Sequence, residues 1–224
     1  YTSLLNLIPE IMRKLADIWD IAIINDEVYF RSNNAILHYR DGAIKYYKPS
    51  STWLFVGAVN NKVLSQDKDA GLLLYDKELW KPFCAAQEMK VSSVTGILPY
   101  SGDTLLVSTL KKGLFLVSNG MLKPFQTSLD RVFFNDRIFF ASQINNGHYA
   151  IGTTSGGVYI MDKKGNLIQK YNYREGLQNN NVRGILLDRD KNMWLALDDG
   201  ISYVAINSAI KRIFPDRTKQ TTRY

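Results

Sequence analysis

The 224-residue sequence predicts an all-β fold, and three observations indicate this class. Aromatic residues are abundant, with 13 Tyr, 10 Phe and 4 Trp, whereas Gly and Pro number only 15 and 6. This composition favours strands over helices. Short apolar segments alternate with turns rich in Asn, Asp and Gly, which close hairpins. The pattern also repeats along the chain, so the repeat is the first feature to define.

Each repeat is marked by a small residue that follows a polar turn and opens an apolar segment. These anchor residues lie 36, 42, 44 and 43 positions apart, and they are Ala35, Gly71, Gly113, Gly157 and Gly200. A period of this length is typical of repeated supersecondary units.

Four apolar segments per repeat predict four strands. The first segments, which we expect to be innermost, cover residues 19–24, 53–59, 94–98, 138–144 and 182–187. The fourth segments cover residues 44–47, 79–83, 121–125, 167–171 and 210–214. Pro82 and Pro124 lie in fourth segments. Because proline cannot donate to a strand ladder, we expect the fourth strands to be outermost.

Four short strands in each period match one blade of a β-propeller. The predicted domain covers residues 19–214, with blades at about 19–49, 50–88, 89–130, 131–175 and 176–214. A complete small propeller and an arc of a larger one are both compatible with this pattern. Residues 1–18 are a lead-in or the end of an upstream blade, with residues 1–7 as its last strand and 9–16 as the single helical candidate. Residues 215–224 are a tail.

The charge and cysteine content argue against several classes of partner. The formal net charge is +7, but the basic residues are scattered through turns, so we expect no nucleic-acid binding. Cys84 is the only cysteine, which excludes an intrachain disulfide. No apolar segment approaches the length of a membrane span, so we expect no membrane contact in this segment.

The last repeat carries a specific motif. Its matching positions are Gly176, Leu177, Asn180, Val182, Ile185, Asp188, Trp194 and Gly200. With this spacing the repeat resembles the two-component regulator propeller repeat. Lys191 replaces the glycine of the turn, and Ala196 and Leu197 replace a Gly-Thr pair that the preceding repeat retains. The strong resemblance covers roughly the last 90 of the 224 residues.

The resemblance implies a periplasmic sensor region of a Bacteroidetes hybrid two-component protein, without a catalytic domain and without a cofactor. It further implies an oligosaccharide ligand, neighbouring propeller and immunoglobulin-like domains in the full-length sensor, and a homodimer as one possible assembly. Signalling would then leave through output domains that these residues do not contain.

The candidate ligand-binding residues lie where propellers usually bind partners. Asn180, Asn181 and Arg183 precede or open the last innermost strand, and we expect them at the channel mouth. His148 lies beside a first turn and is the fourth candidate. We interpret Trp194 as core between blades, and Trp19, Trp53 and Trp80 likewise, because large aromatic residues dominate interior packing.

Metal and catalytic sites are not predicted. Residues 188–192 spell the start of a calcium loop, but Met193 stands where such a loop needs glycine. His38 and His148 have no metal-ligand spacing to an acidic residue or cysteine. Two alternatives to a sensor remain open: a protein-interaction scaffold without a small ligand, and a lyase or hydrolase that uses His148.

Overall fold

The computed structural model describes residues 3–8, 10 and 17–206. Its 19 strands form five separate antiparallel sheets, and in each sheet the strands are paired in chain order. Each sheet is therefore a meander, as the repeat predicts, and the all-β fold of five β-propeller blades is confirmed. No long helix connects parallel strands in the described part of the chain.

The strand boundaries follow the predicted segments closely. Blade 1 contains β1 (Asp20–Ile24), β2 (Glu27–Arg31), β3 (Ile36–Arg40) and β4 (Ala43–Tyr47). Blade 2 contains β5 (Trp53–Val59), β6 (Lys62–Asp67), β7 (Gly71–Asp76) and β8 (Leu79–Cys84). Blade 3 contains β9 (Val94–Ser101), β10 (Thr104–Thr109), β11 (Gly113–Ser118) and β12 (Met121–Pro124).

The last two blades differ in how many strands are described. Blade 4 contains β13 (Ile138–Asn145), β14 (His148–Thr153), β15 (Val158–Asp162) and β16 (Leu167–Tyr171). Blade 5 contains β17 (Val182–Leu187), β18 (Met193–Leu197) and β19 (Gly200–Val204). Its predicted fourth strand, residues 210–214, and the predicted tail lie outside the described residues.

Three short helices correct the sequence-based prediction. Leu4–Leu7 form a 3-10 turn, so an upstream strand at these positions is wrong, while the helix predicted at 9–16 falls almost entirely outside the described residues. Two short α-helices that the sequence pattern did not predict connect blades: α1 (Glu88–Val91) and α2 (Asp130–Asp136). Phe133 of α2 is only 1% exposed because it packs with residues of blades 3 and 4.

The core lies between the blades. The innermost strands of successive blades, β1, β5, β9, β13 and β17, contact one another in that order. Four apolar clusters fill the spaces between blades 1 and 2, 2 and 3, 3 and 4, and 4 and 5. Face-to-face packing of sheets about a common centre therefore brings the start of every innermost strand to one end of the molecule.

The anchor glycines at the start of the third strands have a positive φ, a backbone conformation that is energetically unfavourable for other residues. Gly113 has φ +76° and Gly157 has φ +89°. A methyl group at Gly157 would overlap the backbone carbonyl oxygen of Tyr171, whereas one at Gly113 would meet no atom within 4 Å. Both positions require a positive φ, but only at Gly157 would a side chain overlap neighbouring atoms.

We expect Gly157→Ala to destabilise the protein more than Gly113→Ala. An L-residue at positive φ costs about 1 kcal/mol at either site. The overlap with the Tyr171 carbonyl should add at least about 1 kcal/mol at Gly157, because backbone cannot move aside cheaply. Urea denaturation measures both free energies of unfolding. Equal losses in the two variants would contradict the described packing of the Gly157 turn.

Candidate functional site

A cavity of about 560 Å³ lies where the five sheets converge, and residues from every blade line it. Its aromatic and charged lining residues are Trp19, Asp20, Arg31, Phe55, Phe139, Phe140 and Arg183. Such a combination of apolar surface with a few fixed polar groups is typical of small-molecule sites.

The cavity opens at the entry end of the innermost strands. Asp20 begins β1, while Phe139 and Arg183 are the second residues of β13 and β17. Trp19 directly precedes β1, and its side chain is 61% exposed. The strands thus deliver side chains from distant parts of the sequence to one opening.

A buried arginine fixes the acidic group at this opening. Arg31 is 7% exposed, and its Nη2 lies 2.7 Å from Oδ2 of Asp20. Its Nη1 donates to Oδ1 of Asn33 at 3.0 Å and to the carbonyl of Trp53 at 3.3 Å. The backbone N–H of Val56 also donates to Oδ2 of Asp20. The Asp20 carboxylate is therefore held in one orientation and joins blades 1 and 2.

Arg183 is held on the other side of the opening by blade 5. Its Nε donates to Oδ1 of Asp198 at 2.5 Å, and its guanidinium lies 5.1 Å from the centre of the Phe139 ring. Asn181 donates to the second oxygen of Asp198 at 2.7 Å. One carboxylate thus orients both predicted side chains, while the guanidinium remains about half exposed and accessible to a ligand.

The four predicted binding residues do not form one group. Arg183 lines the cavity, and Asn181 is held near it by their shared partner, Asp198. The side-chain oxygen of Asn180 accepts the Tyr173 N–H at 2.7 Å and its backbone carbonyl accepts the Gly157 N–H, so Asn180 fastens the connection between blades. His148 begins β14 and pairs with Asn145 at the end of β13. It therefore lies at the opposite end of blade 4 from the opening.

The remaining motif residues have structural contacts. Leu177 and Val182 are buried in the cluster between blades 4 and 5. The Asp188 carboxylate accepts hydrogen bonds from the backbone N–H groups of Asp190 and Asn192, at 2.9 Å each, and from the Nε1–H of Trp194. These bonds close the turn between β17 and β18. Gly176 and Gly200 adopt φ +107° and +124°, which favours glycine.

The comparison with known families agrees with this arrangement. Residues 176–199 match the family model described as two component regulator propeller. Blade 5 carries a two-component regulator propeller repeat. No curated protein matches the chain significantly in sequence.

Solved structures share the propeller fold. The extracellular domain of a candidate one-component system from B. thetaiotaomicron, BT4673, is 22% identical over 86% of this chain, with a TM-score of 0.67. That of a candidate hybrid two-component system from the same organism, BT3049, is 16% identical over 88%, with a TM-score of 0.65. The chain spans only 28% and 30% of their lengths. The WD40 β-propeller domain of Doa1 matches 76% of the chain at 16% identity and TM-score 0.56, with 57% of that domain covered.

Two features are absent from the described residues. Residues 3–8, 10 and 17–206 contain no helix that is both long and apolar enough to cross a membrane. Over the same ranges, His, Cys, Asp and Glu side chains nowhere form a group of three or more suited to a metal ion.

The tryptophans divide into two classes. Trp53 is 1% exposed and donates from Nε1 to the Tyr47 carbonyl, so its predicted core role is correct, and Trp80 is partly buried. The prediction is wrong for Trp19 and for Trp194, which is 43% exposed. Both lie on end blades of the propeller, on faces that no other described blade covers. Trp194 is the motif tryptophan of the two-component regulator propeller repeat.

Sequence reasoning missed a buried polar cluster between blades 1 and 2. His38 is 4% exposed and stacks on Tyr29 with ring centroids 4.2 Å apart. Its Nε2 lies 2.8 Å from Oε2 of Glu27, which also accepts the Tyr29 hydroxyl at 2.7 Å. Nδ1 of His38 lies 3.2 Å from the hydroxyl of Tyr75 on blade 2. Alternation along β2 places Glu27 and Tyr29 on one face of the sheet. That His38 of β3 lies opposite Tyr29 follows only from the pairing register of the two strands.

The surroundings of His38 and Glu27 shift both pKa values. Burial lowers the pKa of His38 below its usual value of 6.5, and Arg40 and Lys45 add to this, although Glu27 opposes them. Burial alone would raise the pKa of Glu27, but hydrogen bonds from Tyr29 and His38 and the charges of His38 and Arg40 lower it overall. Near neutral pH the cluster therefore pairs a neutral imidazole with a carboxylate.

We expect acidification to destabilise the protein through His38. Because its folded-state pKa lies below 6.5, the unfolded chain binds the proton more readily, and stability falls as pH drops through 6.5 towards the folded value. Urea denaturation at about pH 7.5 and about pH 5.5 measures this loss. His38→Gln should show a smaller loss, whereas His148→Gln, which removes the second of the two histidines, should behave as wild type. An unchanged loss in His38→Gln would contradict the assignment.

Proposed function

We propose that this chain is part of an extracytoplasmic sensor propeller of a two-component system and that its central cavity binds an oligosaccharide. The observation that carries the proposal is the cavity at the channel mouth, where Trp19 and Phe139 lie beside Asp20 and Arg183. The two-component regulator propeller match and the likeness to extracellular domains of signalling systems support the same class of protein.

The chemistry of the cavity suits a sugar. Ring faces of sugars are apolar enough to pack on exposed aromatic side chains, and their hydroxyl groups both donate and accept hydrogen bonds. Asp20 supplies acceptor oxygens and Arg183 supplies donors, each held by a neighbouring side chain. Preorganised polar groups lose little entropy on binding, so the described ion pairs favour recognition.

Signal transfer follows from the contribution of all five blades to the cavity wall. A ligand that contacts several blades binds one arrangement of them more tightly than another, and only this difference shifts the equilibrium. We infer that the chain acts by binding and not by catalysis, in the periplasm. Its partners would be neighbouring propeller, immunoglobulin-like and output domains, or a second subunit.

Calorimetry and thermal unfolding with a panel of oligosaccharides test the proposal. A true ligand should stabilise the protein, by about 2.7 kcal/mol when its concentration is about 100 times Kd. Arg183→Ala and Trp19→Ala should each weaken binding by about tenfold or more, as expected for loss of a charge-assisted hydrogen bond or of a stacking surface. His148→Ala, at the other end of blade 4, is the matched control and should bind normally.

The outcomes separate the competing functions. Loss of binding in His148→Ala with normal binding in Arg183→Ala would move the site to the opposite end and overturn the proposed cavity. Cleavage of an oligosaccharide by wild type and not by His148→Ala would establish the lyase or hydrolase alternative. Failure of every oligosaccharide to bind would leave the interaction scaffold as the better function, which the exposed faces of the end blades also favour.

A further inference from the structure

A second cavity, of about 320 Å³, lies between blade 3 and helix α2, and we call it the α2 groove. The turn between β10 and β11, the end of β12 with the two residues that follow it, and α2 form its walls. It shares no lining residue with the central cavity. Leu110 lines the central cavity and Lys111 lines the groove, so a single turn separates the two.

The groove has an apolar floor and an aromatic side wall. Leu114 is 3% exposed, and Pro124 and Phe125 lie beside it at the end of the outermost strand. Phe134 of α2 lines the groove and is 73% exposed, whereas the neighbouring Phe133 is buried in the core. A single exposed aromatic residue is ordinary, but here it adjoins a concave apolar surface. The groove can therefore hold an apolar side chain.

Two lysines form the rim of the groove. Lys111 and Lys112 are both exposed and occupy the turn between β10 and β11. Their backbone is fixed, because the Lys111 N–H donates to Oγ of Ser92 at 3.0 Å and the Lys112 N–H donates to Oγ1 of Thr109 at 3.1 Å. Within the described ranges, no carboxylate lies within 4 Å of either ammonium group. Both cations are therefore available to an anionic group.

The single carboxylate of the lining, Asp130, is already used by the loop that leads into α2. Its Oδ1 accepts the backbone N–H of Thr127 at 3.0 Å and the Thr127 hydroxyl at 2.7 Å. Oγ1 of Thr127 in turn accepts the Leu129 N–H at 3.1 Å. With two lysines and one aspartate the lining has a net positive charge, and the whole chain has a formal charge of +7. An acidic binding partner is attracted by both.

The groove suits a peptide better than a sugar. An ammonium group only donates hydrogen bonds, whereas sugar hydroxyl groups both donate and accept them. A peptide with acidic residues next to an apolar residue supplies acceptors for the rim and a side chain for the floor. The chain itself is a poor occupant, because residues 215–224 contain Arg217, Lys219 and Arg223 against one acidic residue, and two copies of a +7 chain repel each other.

We propose that the α2 groove is a docking site for an acidic, extended peptide segment of a partner protein. An apolar side chain of the segment packs on Leu114, Phe125 and Phe134, and its carboxylates pair with Lys111 and Lys112. This interaction does not depend on the binding of an oligosaccharide in the central cavity. A partner docked here would lie across one turn from that cavity.

Peptide selection on the immobilised full chain tests the proposal. From a library of randomised ten-residue peptides, the chain should enrich sequences in which at least two Asp or Glu residues flank an aromatic or aliphatic residue. One enriched peptide is then synthesised and its Kd is measured by calorimetry. Binding should weaken several-fold between about 50 mM and about 500 mM NaCl, because salt screens exposed ion pairs.

Variants of the groove should change this Kd in opposite directions. Lys111→Glu with Lys112→Glu should weaken binding by about tenfold or more, and Phe134→Ala by about tenfold. Asp130→Asn keeps an oxygen that can accept from Thr127 but removes a negative charge, so it should strengthen binding by about twofold. A purely structural role of Asp130 would not produce tighter binding. Circular dichroism verifies that each variant is folded.

Two controls separate the groove from general charge and from the central cavity. Lys77→Glu with Lys191→Glu changes the net charge by the same amount on exposed turns of blades 2 and 5, and it should leave the Kd unchanged. Arg183→Ala alters the central cavity and should also leave the Kd of the peptide unchanged.

Three results would overturn the proposal. One is a selection that enriches no acidic peptide of this pattern. Another is equal weakening by the Lys77 and Lys191 double variant, since binding would then follow net charge alone. The third is an oligogalacturonide that binds with the same dependence on Lys111, Lys112 and Phe134, because an acidic saccharide would then be the occupant. Weaker binding in the groove variants, with both controls unchanged, supports peptide docking.

Discussion

The structure depends on the burial of one apolar sheet face against the next. Each sheet satisfies its backbone hydrogen bonds internally, but a single meander leaves apolar side chains on both faces. Packing the sheets side by side removes these side chains from water, and the four clusters between blades show where this happens. The cavity, the ion pairs at its opening and the exposed end faces are all consequences of that arrangement.

The fold was largely predictable because local signals agreed with one another. Turn residues, apolar segments and anchor glycines recur with one period, so the strands and their order followed from the sequence. Pro82 and Pro124 were correctly placed in outermost strands. The short helices were not predicted. For α2 the reason is that it is held by contacts with distant strands, with Phe133 buried between blades 3 and 4 and Asp136 hydrogen-bonded to Thr154 and Tyr159.

The candidate site was less predictable than the fold. The repeat located Arg183 at the opening, with Asn181 beside it on the same Asp198 carboxylate. It could not show that the Asn180 side chain binds the backbone or that His148 lies at the other end of blade 4. Trp19, Asp20 and Arg31 were not predicted as binding residues, because their meeting with Phe139 and Arg183 depends on sheets far apart in sequence. The histidine cluster likewise depends on cross-strand register and on Tyr75 from the next blade.

The Asp20–Arg31 ion pair links the cavity to the contact between blades 1 and 2. Arg31 also donates a hydrogen bond to the Trp53 carbonyl, and Asp20 also accepts one from the Val56 N–H. Both members of the pair are therefore bonded to the backbone of blade 2. A ligand hydroxyl group that drew the Asp20 carboxylate towards itself would weaken the ion pair with Arg31 and the hydrogen bond from Val56. The angle between the sheets of blades 1 and 2 could then change. Binding in the central cavity would in this way rotate one blade relative to the next. The outermost strands would move furthest, because they lie farthest from the centre of rotation.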